Sequence, residues 1–157
     1  MSRPAEPLSF AEIHPEDPRV EFEIAPLLRS LRPDLTQDSA KAFLSEAHTQ
    51  GYVLSVCTDS VNRCCALSGH RVLTTSRGRI LFVEDLAVAA EQREAGIGRK
   101  FMEYLERMAE LEGCVKLELD TGMNNHVAQR FYKRNKMEWI AMHFSKSIPI
   151  GATLGNS

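Results

Sequence analysis

Two hydrophobic rhythms alternate along this chain. Near its start "LSFAEI" switches between apolar and polar at every residue, the period of a half-buried strand. "EFEIAPLLRSLR" places Leu27, Leu28 and Leu31 at helical spacing, and Pro33, which has no N–H to give a helix, stops it. Asp38 then precedes "SAKAFLSEAHTQ", where Ala42, Phe43 and Ala47 form an apolar stripe and Gly51 supplies the end. Three strand signals follow: "YVLSVCT", "CCALSGHRVLTT" beyond the polar "DSVNR", and "RILFVEDLAV" after the turn "SRG". The last is rich enough in Ile, Leu, Phe and Val for a central strand. Phe101, Leu105, Met108 and Ala109 then recur on one helix face until Gly113. "CVKLELD" reads as a strand, and "NNHVAQRFYKRN" as a helix with Val127, Ala128, Phe131 and Tyr132 on one side. "EWIAMHFSKSI" reads as a last strand or pair of strands. The order predicts an α+β fold, a mixed sheet covered by helices, in one domain over residues 1–157. Its core runs from about 7 to 147, and short, loosely ordered ends such as "PIGATLGNS" are expected outside it.

Composition narrows the field without naming a function. A 157-residue chain with 43% hydrophobic and 25% charged residues is an ordinary globular protein with room for a core. The formal net charge of -2 gives no basic field for nucleic acid or anionic lipid, so neither partner is expected. No apolar run reaches membrane-spanning length, and "MSRPAEPLSF" lacks the apolar centre of a signal peptide, so a cytoplasmic protein is expected. Cys57, Cys64, Cys65 and Cys114 contain no C-x-x-C pair and find no obvious co-ligands; reduced packing cysteines and no metal are the reading.

One loop stands apart. In "EDLAVAAEQREAGIGRKF" an apolar strand gives way to a helix through Gly96 and Gly98, with Arg93, Arg99 and Lys100 around them. A helix starting on Gly-Ile-Gly presents unpartnered N–H groups in one direction, at the positive end of the helix dipole. Such an end suits an anion, phosphate above all, and glycine lets the guest approach the backbone. The same residues also suit a loop that merely turns. The dinucleotide fingerprint fails because Phe101 stands where the third glycine belongs, and the P-loop ending G-K-[ST] is absent.

A second motif resolves the ambiguity. Arg93, Gly96 and Gly98 match [Q/R]-x-x-G-x-[G/A], and Asn125, Ala128, Phe131 and Tyr132 match N-x-x-A-x-x-[FL]-Y. In these motifs and in its order of elements the chain resembles the GNAT superfamily of N-acetyltransferases. One departure is that Lys136-Met137 replaces the family's usual Gly-Phe after the tyrosine helix; Asn135 is expected to take the left-handed cap instead. The resemblance implies a GNAT fold, a mixed sheet of six to seven strands flanked by about four helices. It also implies acetyl-CoA as cosubstrate in a splay between the fourth and fifth strands. Leu86, Ala87 and Val88 would pair with its pantetheine arm as with an added strand. Arg93, Glu94, Ala95, Gly96, Ile97, Gly98 and Arg99 would take its pyrophosphate, and Asn125 would reach it near the thioester.

Acetyl transfer to an amine needs a proton removed, because an alkylammonium of pKa about 10 has no lone pair at neutral pH. It also needs donors for the oxyanion, which an N–H near Val88 could supply, and a proton or hydrogen bond for the leaving thiolate. The resemblance gives the thiolate to Tyr132. "LFVEDLAV" with "FYKRN" resembles the spermidine/spermine N-acetyltransferase branch, which makes Glu84 the base and not Asp85; the two neighbours are expected on opposite faces of the strand. Asp120, at the end of the fifth strand, is the other candidate base. A carboxylate of ordinary strength is too weak to strip an ammonium directly, so the base is expected to act through water or with a pKa raised by burial.

The acceptor expected is a small-molecule amine, for which Asp34 and Asp38 in the loop between the first helices would suit a cation. The alternatives are a protein lysine or N-terminal acetyltransferase, a coenzyme A-binding sensor without turnover, and an unrelated nucleotide-binding protein. His14, His48 and His70 are read without chemistry; His126 could lie near the cofactor phosphates, His143 could line the acceptor pocket, and Trp139 packs. Family members often dimerise through their last strands, and "EWIAMHFSKSI" is apolar enough to allow a homodimer.

Overall fold

A computed structural model describes residues 7–93 and 96–151. The expected loose ends, 1–6 and 152–157, lie outside the described residues. The chain divides after Leu119 into two compact units.

The first unit holds β1 (Ser9–Ile13), a π-helical turn (Val20–Ile24), α1 (Ala25–Leu31), α2 (Gln37–Thr49), β2 (Val53–Thr58), β3 (Cys64–Thr75), β4 (Gly78–Val88), a 3₁₀ turn (Ala90–Gln92), α3 (Ile97–Leu111) and β5 (Lys116–Leu119). The strands lie in the order β1-β2-β3-β4-β5, antiparallel up to β4, with β5 parallel to β4. α1 ends at Leu31, with Arg32 as its C-cap just before Pro33. α2 starts from Thr36 rather than Asp38: Thr36 Oγ1 accepts from the Ser39 N–H at 3.0 Å, and Ser39 Oγ accepts from the Thr36 N–H at 2.8 Å, a reciprocal cap. Its buried stripe is Ala40, Leu44 and Ala47. Gly51, at φ 88°, closes it where L residues are strained.

Two layers of helices cover the sheet. Ile24, Leu28 and Leu44 pack with Leu54, Val56 and Leu67 in one buried cluster, so α1 and α2 cover that face. Cys57 alternates with Val56 and points the other way. Its cross-strand partner Phe10 meets Phe101 of α3 edge to face, with ring centroids 5.1 Å apart, so α3 covers the second face. Ile97, Phe101, Met102, Leu105 and Ala109 are the buried stripe of α3. Each such fully buried large side chain contributes roughly 1.5–3 kcal/mol over its exposed state.

The second unit contains α4 (His126–Arg134). Asn125 caps it, its side chain accepting from the Ala128 N–H at 3.1 Å. The left-handed residue after it is Lys136, at φ 62°, and not Asn135, which sits at φ -87°. The expected last strand is absent: residues 138–148 carry no strand, and the sheet has five strands among the described residues rather than six to seven. A strand exists only where another strand satisfies its N–H and C=O groups, and among the described residues this unit holds no strand to do so. Trp139 is exposed rather than packed, its indole N–H donating to the Ala141 carbonyl at 2.7 Å. Among the described residues no helix is long and apolar enough to cross a membrane.

Candidate active site

The site in the first unit begins with a mismatch in strand length. The ladder between β4 and β5 ends at Val83↔Leu119. On its β5 side the rest of β4, Glu84 to Val88, therefore has no strand partner among the described residues, and it is this stretch that holds Leu86, Ala87 and Val88. On its other side β4 stays paired with β3 as far as Ala66↔Val88.

A bulge sits at the same place. Gly69 pairs with Asp85 and His70 with Val83, so Glu84 is an extra residue with no partner of its own on β3. The bulge overturns the expectation that Glu84 and Asp85 face opposite sides, because an inserted residue breaks the strict alternation of the strand. Both line one cleft of about 550 Å³, walled by Leu28, Leu31, Pro33, Leu35 and Phe43 and by Arg32 and Asp34.

Asp85 is 6% exposed and fully engaged. The Tyr52 hydroxyl donates to it at 2.9 Å, and the Arg32 guanidinium donates at 3.2 and 3.3 Å. Arg32 also reaches the Glu84 backbone carbonyl at 3.3 Å. Burial, and after it the carboxylate beside it, push the Tyr52 phenol far above its ordinary range, so it is a fixed donor. Gly69 makes this possible: a Cβ there would lie 1.7 Å from the Tyr52 oxygen. Glu84 keeps one oxygen 2.5 Å from Arg71 Nε, and the Arg71 guanidinium lies 5.8 Å from the Tyr52 ring centre. Tyr52, Arg71, Arg32 and Asp85 are thus one buried-to-exposed polar chain that sequence reasoning missed. An isolated glycine inside a strand, Gly69, is the signal that could have pointed to it.

The glycine loop has the expected backbone at its described end. Gly96 caps α3 at φ 73°, no side chain caps the helix, and the first helical bond is Lys100 N–H to Gly96 O at 3.2 Å. The N–H groups of Ile97, Gly98 and Arg99 accordingly have no carbonyl partner within the helix. Nothing lies within 4 Å of where a Gly96 Cβ would be. This is a cradle of amide donors that fits a pyrophosphate. Arg93 lines a second, shallower hollow of about 360 Å³ with Ala89, Ala90 and Glu91. Glu94 and Ala95 lie outside the described residues.

In the second unit the candidates are Asp120, Asn125 and Tyr132. Asp120 Oδ2 lies 2.6 Å from His143 Nδ1. Asn125 holds the α4 cap through its oxygen, which leaves its amide N–H₂ available. Burial holds the Tyr132 phenol above its ordinary range, so its proton stays on at neutral pH. His126 is the first residue of α4. The four cysteines are free thiols; the Cys57 and Cys65 sulfurs lie 3.5 Å apart within the sheet. Among the described residues no group of three or more His, Cys, Asp and Glu could hold a metal ion.

A five-stranded mixed sheet with helices on both faces, a β4 edge that runs beyond its parallel partner, and a glycine-started helix just after that edge combine in one α+β unit. The family model "Acetyltransferase (GNAT) family" matches residues 9–137, and the chain belongs to that family of enzymes, which move an acetyl group from acetyl-CoA to an amine. No curated protein matches the chain by sequence. Several solved structures share its fold. The aminoglycoside N-acetyltransferase AAC(6')-Iy, solved with coenzyme A, superposes with TM-score 0.78 at 14% identity, over 94% of this chain and 99% of that one. Glucosamine-6-phosphate N-acetyltransferase from Arabidopsis thaliana gives 0.69 at 22%, over 92% and 100%. The aminoglycoside acetyltransferase meta-AAC0020, from an uncultured soil metagenomic sample and solved with sisomicin, gives 0.73 at 14%, over 90% and 97%.

Proposed function

We propose that this protein acetylates the primary amine of a small molecule by direct attack of that amine on acetyl-CoA. The observation that carries this reading is the cleft in which Glu84 lies beside the unpaired edge of β4. A donor arm laid along Leu86, Ala87 and Val88 would end next to the cleft from which an amine would enter. The first-turn N–H groups at Ile97, Gly98 and Arg99, with Arg93, would hold the pyrophosphate. Glu94 and Ala95 belong to the same proposed loop.

Each residue then has a task. Asp85 has its oxygens occupied by Tyr52 and Arg32, which favours Glu84 as the group that accepts the acceptor's proton, through a water. The Arg71 guanidinium pairs with the Glu84 carboxylate and holds its position. The freed lone pair forms the new C–N bond, the C–S bond breaks, and the coenzyme A sulfur leaves with the electron pair. Tyr132, a neutral phenol, would supply the hydrogen bond or proton to that sulfur, and Asn125 would steady the donor near the thioester. Asp120 remains the second candidate base; its contact with His143 would let that pair relay a proton. The aminoglycoside and sugar-phosphate acetyltransferases of like fold favour a small acceptor over a protein lysine or N-terminus. A single domain working in the cytoplasm, alone or as a homodimer, fits the same reading.

The test is coenzyme A release from acetyl-CoA over a panel of amines, amino acids and lysine peptides. Release is quantified by chromatography, since protein thiols would disturb a thiol dye. Release that depends on a small amine is expected. Acetyl-CoA binding without acceptor-dependent release would instead make the protein a sensor.

A further inference from the structure

The walls of the cleft speak about its guest. Leu28, Leu31, Pro33, Leu35 and Phe43 make them apolar. The charges inside cancel: Asp85 is met by Arg32, and Glu84 by Arg71. Asp34 is the one further acid lining the cleft, and among the described residues it has no ion-pair partner. An acceptor with several ammonium groups would bring to these walls more positive charge than one acid can answer, and each unanswered charge would be desolvated at a cost. An apolar body with one ammonium meets the opposite conditions. Its chain or ring takes the place of water on the leucines and Phe43, and its single charge finds Asp34.

Resting on the acetyltransferase reading above, we propose that the acceptor is a monocationic primary amine with an alkyl or aryl body, and that the apolar wall formed by α1, the loop after it and Phe43 selects it over polycationic amines. Arg32 has a part in this selection. Its guanidinium already fills the cation position at Asp85, 3.2 Å from the carboxylate, so a second ammonium on the acceptor finds that position taken.

The experiment compares kcat/KM for 2-phenylethylamine and hexylamine with that for spermidine and an aminoglycoside, in the wild type and in Leu35→Asp. Leu35 is only partly buried, and a thermal melt confirms that the variant folds. The wild type is expected to favour the two apolar amines by about tenfold or more, the discrimination that one or two hydrophobic contacts supply. Leu35→Asp places an acid on the wall and is expected to shift the ratio toward spermidine by about tenfold, mainly through KM. A wild type that prefers spermidine or the aminoglycoside overturns the inference and leaves the acetyltransferase reading standing. So does a folded Leu35→Asp with an unchanged ratio. Failure to acetylate any amine, with acetyl-CoA still bound, overturns both.

Discussion

The chemistry of this chain is concentrated in two neighbouring acids with different surroundings. Asp85 is held by a phenol and a guanidinium and is 6% exposed, whereas Glu84 is paired on one oxygen and stands at the cleft. Glu84→Gln should lower turnover by about tenfold or more while acetyl-CoA affinity stays within about threefold. Turnover unchanged from about pH 6 to 9 would remove Glu84 from the mechanism. Gly69 is the hidden partner of this arrangement. In Gly69→Ala the new methyl would collide with the Tyr52 ring and hydroxyl, whose nearest atoms lie 1.7, 1.9 and 2.4 Å from its position. Denaturant unfolding should report a loss of about 1–3 kcal/mol, the usual cost of overpacking, and the Tyr52–Asp85 contact should go with it. A variant as stable as the parent would mean that Tyr52 has another place to lie.

At the level of elements, periodicity carried most of the reading. Strands β1 to β5 and helices α1 to α4 fall where the apolar rhythm puts them; α1, α2 and α3 each bury one face, whereas α4 has no buried residue and its expected stripe leaves Val127 exposed. The exceptions are instructive. The bulge at Glu84 is set by cross-strand geometry around Gly69, which no spacing rule contains. Thr36 replaced Asp38 as the α2 cap because a reciprocal pair with Ser39 satisfies two backbone groups at once. The apolar residues of "EWIAMHFSKSI" suggest a last strand, but apolar content does not supply a pairing edge. The glycine loop was legible at Gly96, whose φ of 73° demands glycine, and the carboxylates were legible as a pair, but their division of labour was not. Lys136, at φ 62°, holds the left-handed turn after α4 with a side chain that strains it. Lys136→Gly should therefore stabilise the protein by about 1 kcal/mol, the cost that a non-glycine residue bears there. Differential scanning calorimetry would register it as a raised Tm, and an unchanged Tm would mean that the strain is offset locally.

Across the whole molecule, one buried base ties stability to pH. His70 is 3% exposed on β3, and burial depresses its pKa below the ordinary value, outweighing the opposing charge of Glu112. The unfolded chain thus takes up a proton near pH 6.5 that the folded chain refuses until lower pH. Its contribution to stability is complete above about pH 6.5 and is lost as pH falls toward the folded value. His70→Gln should flatten that acid-side decline in urea unfolding between about pH 7 and 5, and an equally steep decline would place its source elsewhere.

The account as a whole rests on an acetyl group passing straight from donor to acceptor. The most direct measurement uses acetyl-CoA labelled in the acetyl carbons, mixed with the enzyme with and without a reactive amine, quenched and analysed by mass spectrometry. Direct transfer predicts label in the amide of the acceptor and none on the protein when the amine is left out. Label on a protein cysteine before the amine is added, or no transfer to any amine, would contradict it.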